Sequence, residues 1–192
     1  MIPYSPKNFS RPKNMIQVDS AWKGLESIIE DILDNFGIKR EKALEFGVWQ
    51  GYSTVVLSSF FQKVIGVDTF EGDKNAGTSD LSFEEIKKLL SPYPIQLYQK
   101  SYQDYIKQNF LNGPYDLVHI DIVHTYEDTF ASGDWALQHS NFVIFHDTQS
   151  FPDVMLAVTD LSIKHNVDFF NYPHCNGLGI LCRQDIKKMV QN

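Results

Sequence analysis

Three groups of residues in this chain have the types and spacing for chemistry. The first is Glu45-Phe-Gly47-Val-Trp-Gln-Gly51-Tyr-Ser53-Thr54, between an apolar run and a helical pattern. Two glycines four apart let the backbone turn sharply and come close to a ligand. The following helix presents free N–H groups at its start. A tight strand-to-helix turn with no ligand would use glycines in the same way. The second is Val64-Ile-Gly-Val67, ending at Asp68, 17 residues after Gly51. An acid at the end of a second strand can accept both hydroxyls of a ribose, or can cap a loop. The third is Asp121 with His124 and the pair His146-Asp147, each leaving an apolar run. Carboxylates and imidazoles so placed can move protons or hold a divalent cation.

The first two groups together read as a nucleoside site. A dinucleotide fingerprint wants G-x-G-x-x-G, so that pyrophosphate rests on the helix. Here the spacing is G-x-x-x-G, and Glu45 stands two residues before the first glycine. A carboxylate there repels pyrophosphate but suits an ammonium or sulfonium group. That favours S-adenosylmethionine, which has a positive amino-acid end and no phosphate.

These residues need a frame. Residues 1–18 hold Pro3, Pro6 and Pro12 without periodicity and read as an extended arm, mobile or draped over the domain; residues 19–192 read as one domain. From Ser20, apolar residues recur at three and four from Trp22 to Phe36, an amphipathic helix stopped by Gly37. Short apolar runs then alternate with helical patterns. Strands are expected at 43–46, 64–67, 95–98, 116–120 and 142–145, and helices at 52–61, 102–110, 125–137 and 153–165. Ser82-Phe-Glu-Glu85 fits a capping box for a further helix running to Leu90. Strands at 167–170 and 178–181, joined by a turn with Asn176-Gly177, precede a short polar helix. The fold class is α/β: a Rossmann-like doubly wound sheet, mostly parallel with a C-terminal antiparallel hairpin, helices on both faces. Ligands of such sheets sit at the carboxyl ends of the strands.

With the frame in place, the motifs fall at successive strand ends. Glu45-x-Gly47-x-x-x-Gly51-x-Ser53, followed by Val-Ile-Gly-Val-Asp68, resembles the first two motifs of the class I S-adenosylmethionine-dependent methyltransferases. Tyr115-Asp-Leu-Val-His-Ile-Asp121-Ile-Val-His124-Thr-Tyr126-Glu127 resembles the I-D-x-x-H-x-Y-E motif of one subgroup. Phe145-His146-Asp147-Thr148 and Asn176-Gly177-Leu-Gly179 resemble it as well. That subgroup holds the macrocin O-methyltransferase-like and cephalosporin hydroxylase-like proteins. The resemblance spans about residues 40–183.

The resemblance implies that Glu45, Gly47, Gly51 and Ser53 surround the methionine part of the cofactor and that Asp68 binds its ribose. It places Ser101 or Tyr102 against adenine. Trp49 lines the pocket or packs on the preceding helix. His124 is the general base that takes the acceptor's proton, with Asp121 beside it; capping the helix at Thr125 is its other reading. In macrocin-like members a divalent metal is held by an acid matching Asp121 and by an acidic pair after the fifth strand. Here that pair is His146-Asp147. Mg²⁺ prefers oxygen ligands, whereas imidazole suits Zn, Mn or Fe. A site of Asp121, His146 and Asp147 and a metal-free site relying on His124 both remain open. His119 reads as a core residue, and the 73–80 loop as a lid or an ordinary solvated loop.

The implied activity is transfer of a methyl group to a hydroxyl of a small molecule, a sugar or sugar-like natural product. A non-catalytic cofactor-binding or assembly protein, and an NAD-dependent oxidoreductase, are the rivals. Composition narrows the partners. The chain has 17 Lys+Arg against 24 Asp+Glu, a net charge of −7, and no basic cluster, which argues against nucleic acid. The apolar run Val154–Val158 is far shorter than the ~18 residues of a membrane span. No secretory signal is visible, and Cys175 and Cys182 match no zinc or redox spacing. A cytoplasmic protein with reduced thiols is expected, with a homo-oligomer as an open option.

Overall fold

A computed structural model describes residues 1–72, 77, 79–108 and 113–183. The strands are β1 (Ile2–Pro3), β2 (Lys42–Phe46), β3 (Lys63–Asp68), β4 (Ile95–Gln99), β5 (Leu117–Ile120), β6 (Phe142–His146), β7 (Asp168–Tyr172) and β8 (Leu178–Cys182). They form one sheet in the order β1-β7-β8-β6-β5-β2-β3-β4. Every pairing is parallel except those of β8 with β6 and β7. Central strands such as β5 and β6 are buried along their whole length, as expected for strands covered on both faces.

The helices are α1 (Ile29–Asn35), α2 (Tyr52–Ser58), α3 (Phe83–Leu90), α4 (Tyr102–Gln108), α5 (Tyr126–His139) and α6 (Pro152–His165). One face of the sheet packs α1 and α2 around Trp22, Ile32 and Val56, with α3 adding Ile86 and Leu90. The other packs α4, α5 and α6 around Tyr105, Trp135 and Leu161. Full burial of one such side chain stabilises by about 1.5–3 kcal/mol, so these two layers carry the fold. Local signals fix the helix starts. Ser82 and Glu85 form the complete capping box of α3, and the Thr125 hydroxyl accepts the Asp128 N–H at the start of α5.

Two helices depart from the pattern. The expected helix from Ser20 to Phe36 is instead a turn, a single 3-10 turn at Leu25–Ser27, and then α1. Gly24 at φ +107 interrupts it, although Trp22, Leu25, Ile28, Ile29, Ile32, Leu33 and Phe36 are all buried. Helix α2 ends at Ser58 rather than Phe61. The polar helix expected at the C-terminus lies outside the described residues, as do residues 73–76 and 78 of the candidate lid and the end of the fourth expected helix. Among the described residues no helix is long and apolar enough to cross a membrane.

Candidate active site

The carboxyl ends of β2, β3, β4, β5 and β6 open onto one cavity of about 920 Å³. Its floor begins with the glycine loop. Gly47 sits at φ +90, and a β-carbon there would lie 1.7 Å from the Asp121 carbonyl oxygen. Gly51, at φ +89, caps α2 in the left-handed region, and a β-carbon there would strike Leu90. Both positions therefore require glycine on grounds of conformation and space together. Trp49 (φ +53) and Ser53 in the first turn of α2 line the cavity.

Asp68 closes this loop. One carboxylate oxygen accepts the Val48 and Trp49 N–H groups at 2.7 and 2.8 Å, and the other accepts the Phe70 N–H at 2.7 Å. Its carboxylate also faces the cavity. Asp68 thus caps the loop, as one of its two sequence readings had it, and lines the cavity as well. Ser101 and Tyr102 line the far side of the cavity. The Tyr102 hydroxyl donates to Asp128 at 2.8 Å. Burial, followed by that carboxylate, pushes its phenol above the ordinary range.

Glu45 does not reach the cavity. Its side chain is fully buried, its oxygens taken by His119 Nδ1 at 2.8 Å and by the Thr54 hydroxyl. Glu45 and His119 are paired across β2 and β5, and their side chains meet on one face of the sheet, so Glu45 stands in a buried polar pair and does not line the cavity. His119 is also engaged by the Trp22 indole N–H at 3.2 Å, which makes it the core residue expected from sequence.

The acidic end is compact. His124 Nε2 lies 2.8 Å from an Asp147 carboxylate oxygen and 3.9 Å from Asp121. His146 Nδ1 lies 3.1 Å from Asp121 and 3.2 Å from Asp147, without hydrogen-bond alignment to either. Its Nε2 faces the Cys175 carbonyl at 3.3 Å. Burial alone would depress the His146 pKa, but the two carboxylates outweigh it and push it up to about 10. Burial would likewise raise Asp147 and Asp121. Contacts to His124 and His146 instead hold Asp147 well below the carboxylate range, and His146 does the same for Asp121. Asp147 itself sits at φ +64, a strained position for a residue with a side chain.

Among the described residues, the metal-ligand atoms that converge belong to Asp121, His124 and Asp147. The expected trio had His146 in place of His124. His146 Nδ1 also lies within 3.2 Å of both carboxylates, so both imidazoles stand against Asp121 and Asp147. Phe151 stacks flat on His124 with ring centroids 4.0 Å apart. Phe151, Asp128 and the Asp19–Lys23 turn also line the cavity, and neither Asp128 nor the turn is singled out from sequence. Only Asp128 left a signal, as the third residue after a helix-capping threonine.

Known proteins share this architecture. A Staphylococcus aureus protein assigned as a caffeoyl-CoA O-methyltransferase superposes with a TM-score of 0.64 at 14% identity, covering 88% of this chain and 86% of that one. An O-methyltransferase from Bacillus cereus, solved with S-adenosylhomocysteine, gives 0.59 at 14% identity over 87% and 83% of the two chains. CalS11, a TDP-rhamnose 3'-O-methyltransferase of calicheamicin biosynthesis, gives 0.59 at 15% identity over 80% and 76%. At these identities the likeness establishes the fold. No curated protein matches the sequence. Residues 44–148, more than half of the chain, match the methyltransferase-domain family, running from the glycine loop through the His146-Asp147 pair. The chain belongs to that family of methyltransferases.

Proposed function

We propose that the protein is an S-adenosylmethionine-dependent O-methyltransferase whose acceptor is a hydroxylated small molecule, a sugar or sugar-like compound. The observation that carries this reading is the single cavity joining the glycine loop and Asp68 to Asp121, His124 and Asp147. S-Adenosylmethionine would supply an activated methyl group on a sulfonium. Gly47 and Gly51 let the backbone approach it, Asp68 offers a ribose acceptor, and Ser101 and Tyr102 bound the adenine side. Structural neighbours solved with S-adenosylmethionine or its demethylated product, and one that methylates a TDP-sugar, support the cofactor and acceptor class.

A hydroxyl is a poor nucleophile until its proton leaves. Two carboxylates and an imidazole within ligand reach fit a divalent ion such as Mg²⁺ or Mn²⁺. Asp121, His124 and Asp147 would hold the ion, which would lower the acceptor's pKa. The 2.8 Å contact between His124 and Asp147 favours a second reading. There Asp147 orients His124 as the general base and stabilises its protonated form.

Calorimetry with S-adenosylhomocysteine tests the cofactor reading. Heat of binding to the folded protein is expected, and its absence would sink it. Metal analysis of the purified protein and a chelator titration separate the two readings of His124. Loss of turnover with the metal supports the first, and chelator-resistant turnover the second.

A further inference from the structure

We propose that Arg11 is a positioning residue for the cofactor site, acting through Glu26 to hold the N-terminal arm and the Asp19–Gly24 turn together at the cavity wall. The inference rests on the S-adenosylmethionine reading above.

The arm is tied down along its length. After β1 pairs with β7, the Tyr4 hydroxyl donates to Asp31 at 2.6 Å, and the Lys7 and Asn8 N–H groups donate to the other oxygen of Asp31. The Ser10 N–H reaches the Ser27 carbonyl at 2.8 Å. Ile16 is buried in a cluster with Val48, Val55 and Leu90. The chain then enters the cavity wall as Asp19–Lys23.

Glu26 is the knot in this path. Its side chain is 3% exposed, yet one carboxylate oxygen lies 3.0 Å from Arg11 Nε, whose side chain is 72% exposed. The other oxygen accepts the Gly24 N–H. Gly24, at φ +107, closes the turn that lines the cavity. The Tyr52 phenol lies near Glu26, and burial, followed by the charge of that carboxylate, raises its pKa. Tyr52 is the first residue of α2, lies beside Gly51 and lines the cavity. One carboxylate therefore joins the N-terminal arm to the turn that lines the cavity. Among the described residues, Arg11 is the cation paired with it. A buried carboxylate stripped of its counter-charge is costly to keep in place. Loss of Arg11 should therefore loosen the wall on the cofactor side while sparing the acidic cluster.

The test uses the full chain with Arg11→Gln and, as rescue, Arg11→Lys. Arg11→Gln is expected to raise the S-adenosylhomocysteine Kd and the S-adenosylmethionine KM about tenfold, with kcat held within about twofold. Arg11→Lys should restore most of the affinity. Linkage requires the converse: S-adenosylhomocysteine should slow hydrogen exchange at the Ser10 amide in the wild type and do so less in Arg11→Gln. In cofactor-free protein, Arg11→Gln should speed exchange at the Gly24 amide. A lowered melting temperature with unchanged Kd and KM would make Arg11 a structural staple and overturn the proposal. Unchanged exchange at Gly24 would overturn it without reference to any cofactor. Absence of S-adenosylhomocysteine binding to the wild type would instead overturn the functional reading on which it rests.

Discussion

Gly47 and Asp121 meet backbone to backbone, so close that a β-carbon on the glycine would fall 1.7 Å from the aspartate's carbonyl oxygen. The cofactor loop and the acidic strand end are therefore one packed unit. Gly47→Ala must relieve both this clash and a φ of +90. A loss of about 3 kcal/mol or more is expected, read as a lowered midpoint in urea unfolding. A midpoint equal to wild type would show that the loop and β5 are not coupled in this way.

Asp68 holds three backbone N–H groups of the two loops that flank the cavity. Asparagine keeps the shape but turns a donor toward one set of those N–H groups. Hydrogen bonds to a charged group contribute about 1.5–3 kcal/mol, so Asp68→Asn should weaken S-adenosylhomocysteine binding roughly tenfold to a hundredfold. Calorimetry reads this directly. An unaltered affinity would remove Asp68 from the cofactor site.

His124 and Asp121 line the cavity at the end of β5 rather than on the glycine loop. His124→Ala is expected to lower kcat about a hundredfold or more while leaving S-adenosylhomocysteine affinity close to wild type. Metal content measured on His124→Ala and Asp121→Asn adds the discrimination. Joint loss of bound metal supports a shared ion, and retained metal in His124→Ala supports the base.

The pH dependence of stability follows from His146. Its folded pKa, about 10, lies above its ordinary value of ~6.5, so the protonated form is the one that folding favours. In metal-free protein this contribution is complete below about pH 6.5 and declines as pH rises toward 10. Asp121 and Asp147, both depressed, contribute above the ordinary carboxylate range and lose that contribution on acidification. Thermal unfolding across this range should therefore show a decline on the alkaline side. His146→Gln should flatten that decline, and an identical slope in the variant would show that His146 is not held as an imidazolium.

Much of this architecture is legible one residue at a time. Parallel strands buried on both faces leave near-continuous apolar runs such as Phe142–Phe145. Gly51 and Asp68 mark strand ends because a left-handed turn and a loop-closing acid have narrow chemical solutions. The Ser82–Glu85 capping box is local by nature, and it sets the start of α3 at the expected residue.

What the sequence could not determine depends on direction and distance between segments. Glu45 stands in the right motif, but the pleat of β2 points it into the core against His119, and only strand pairing decides which way a pleat faces. His124 and His146 are equal candidates as letters. The fold brings both to Asp147, one from the turn after β5 and the other from the end of β6, whose second nitrogen faces the Cys175 carbonyl, 29 residues away in the chain. Arg11 meets Glu26 for the same reason. The residue types carry the chemistry, but the packing of distant segments sets which of them share a site.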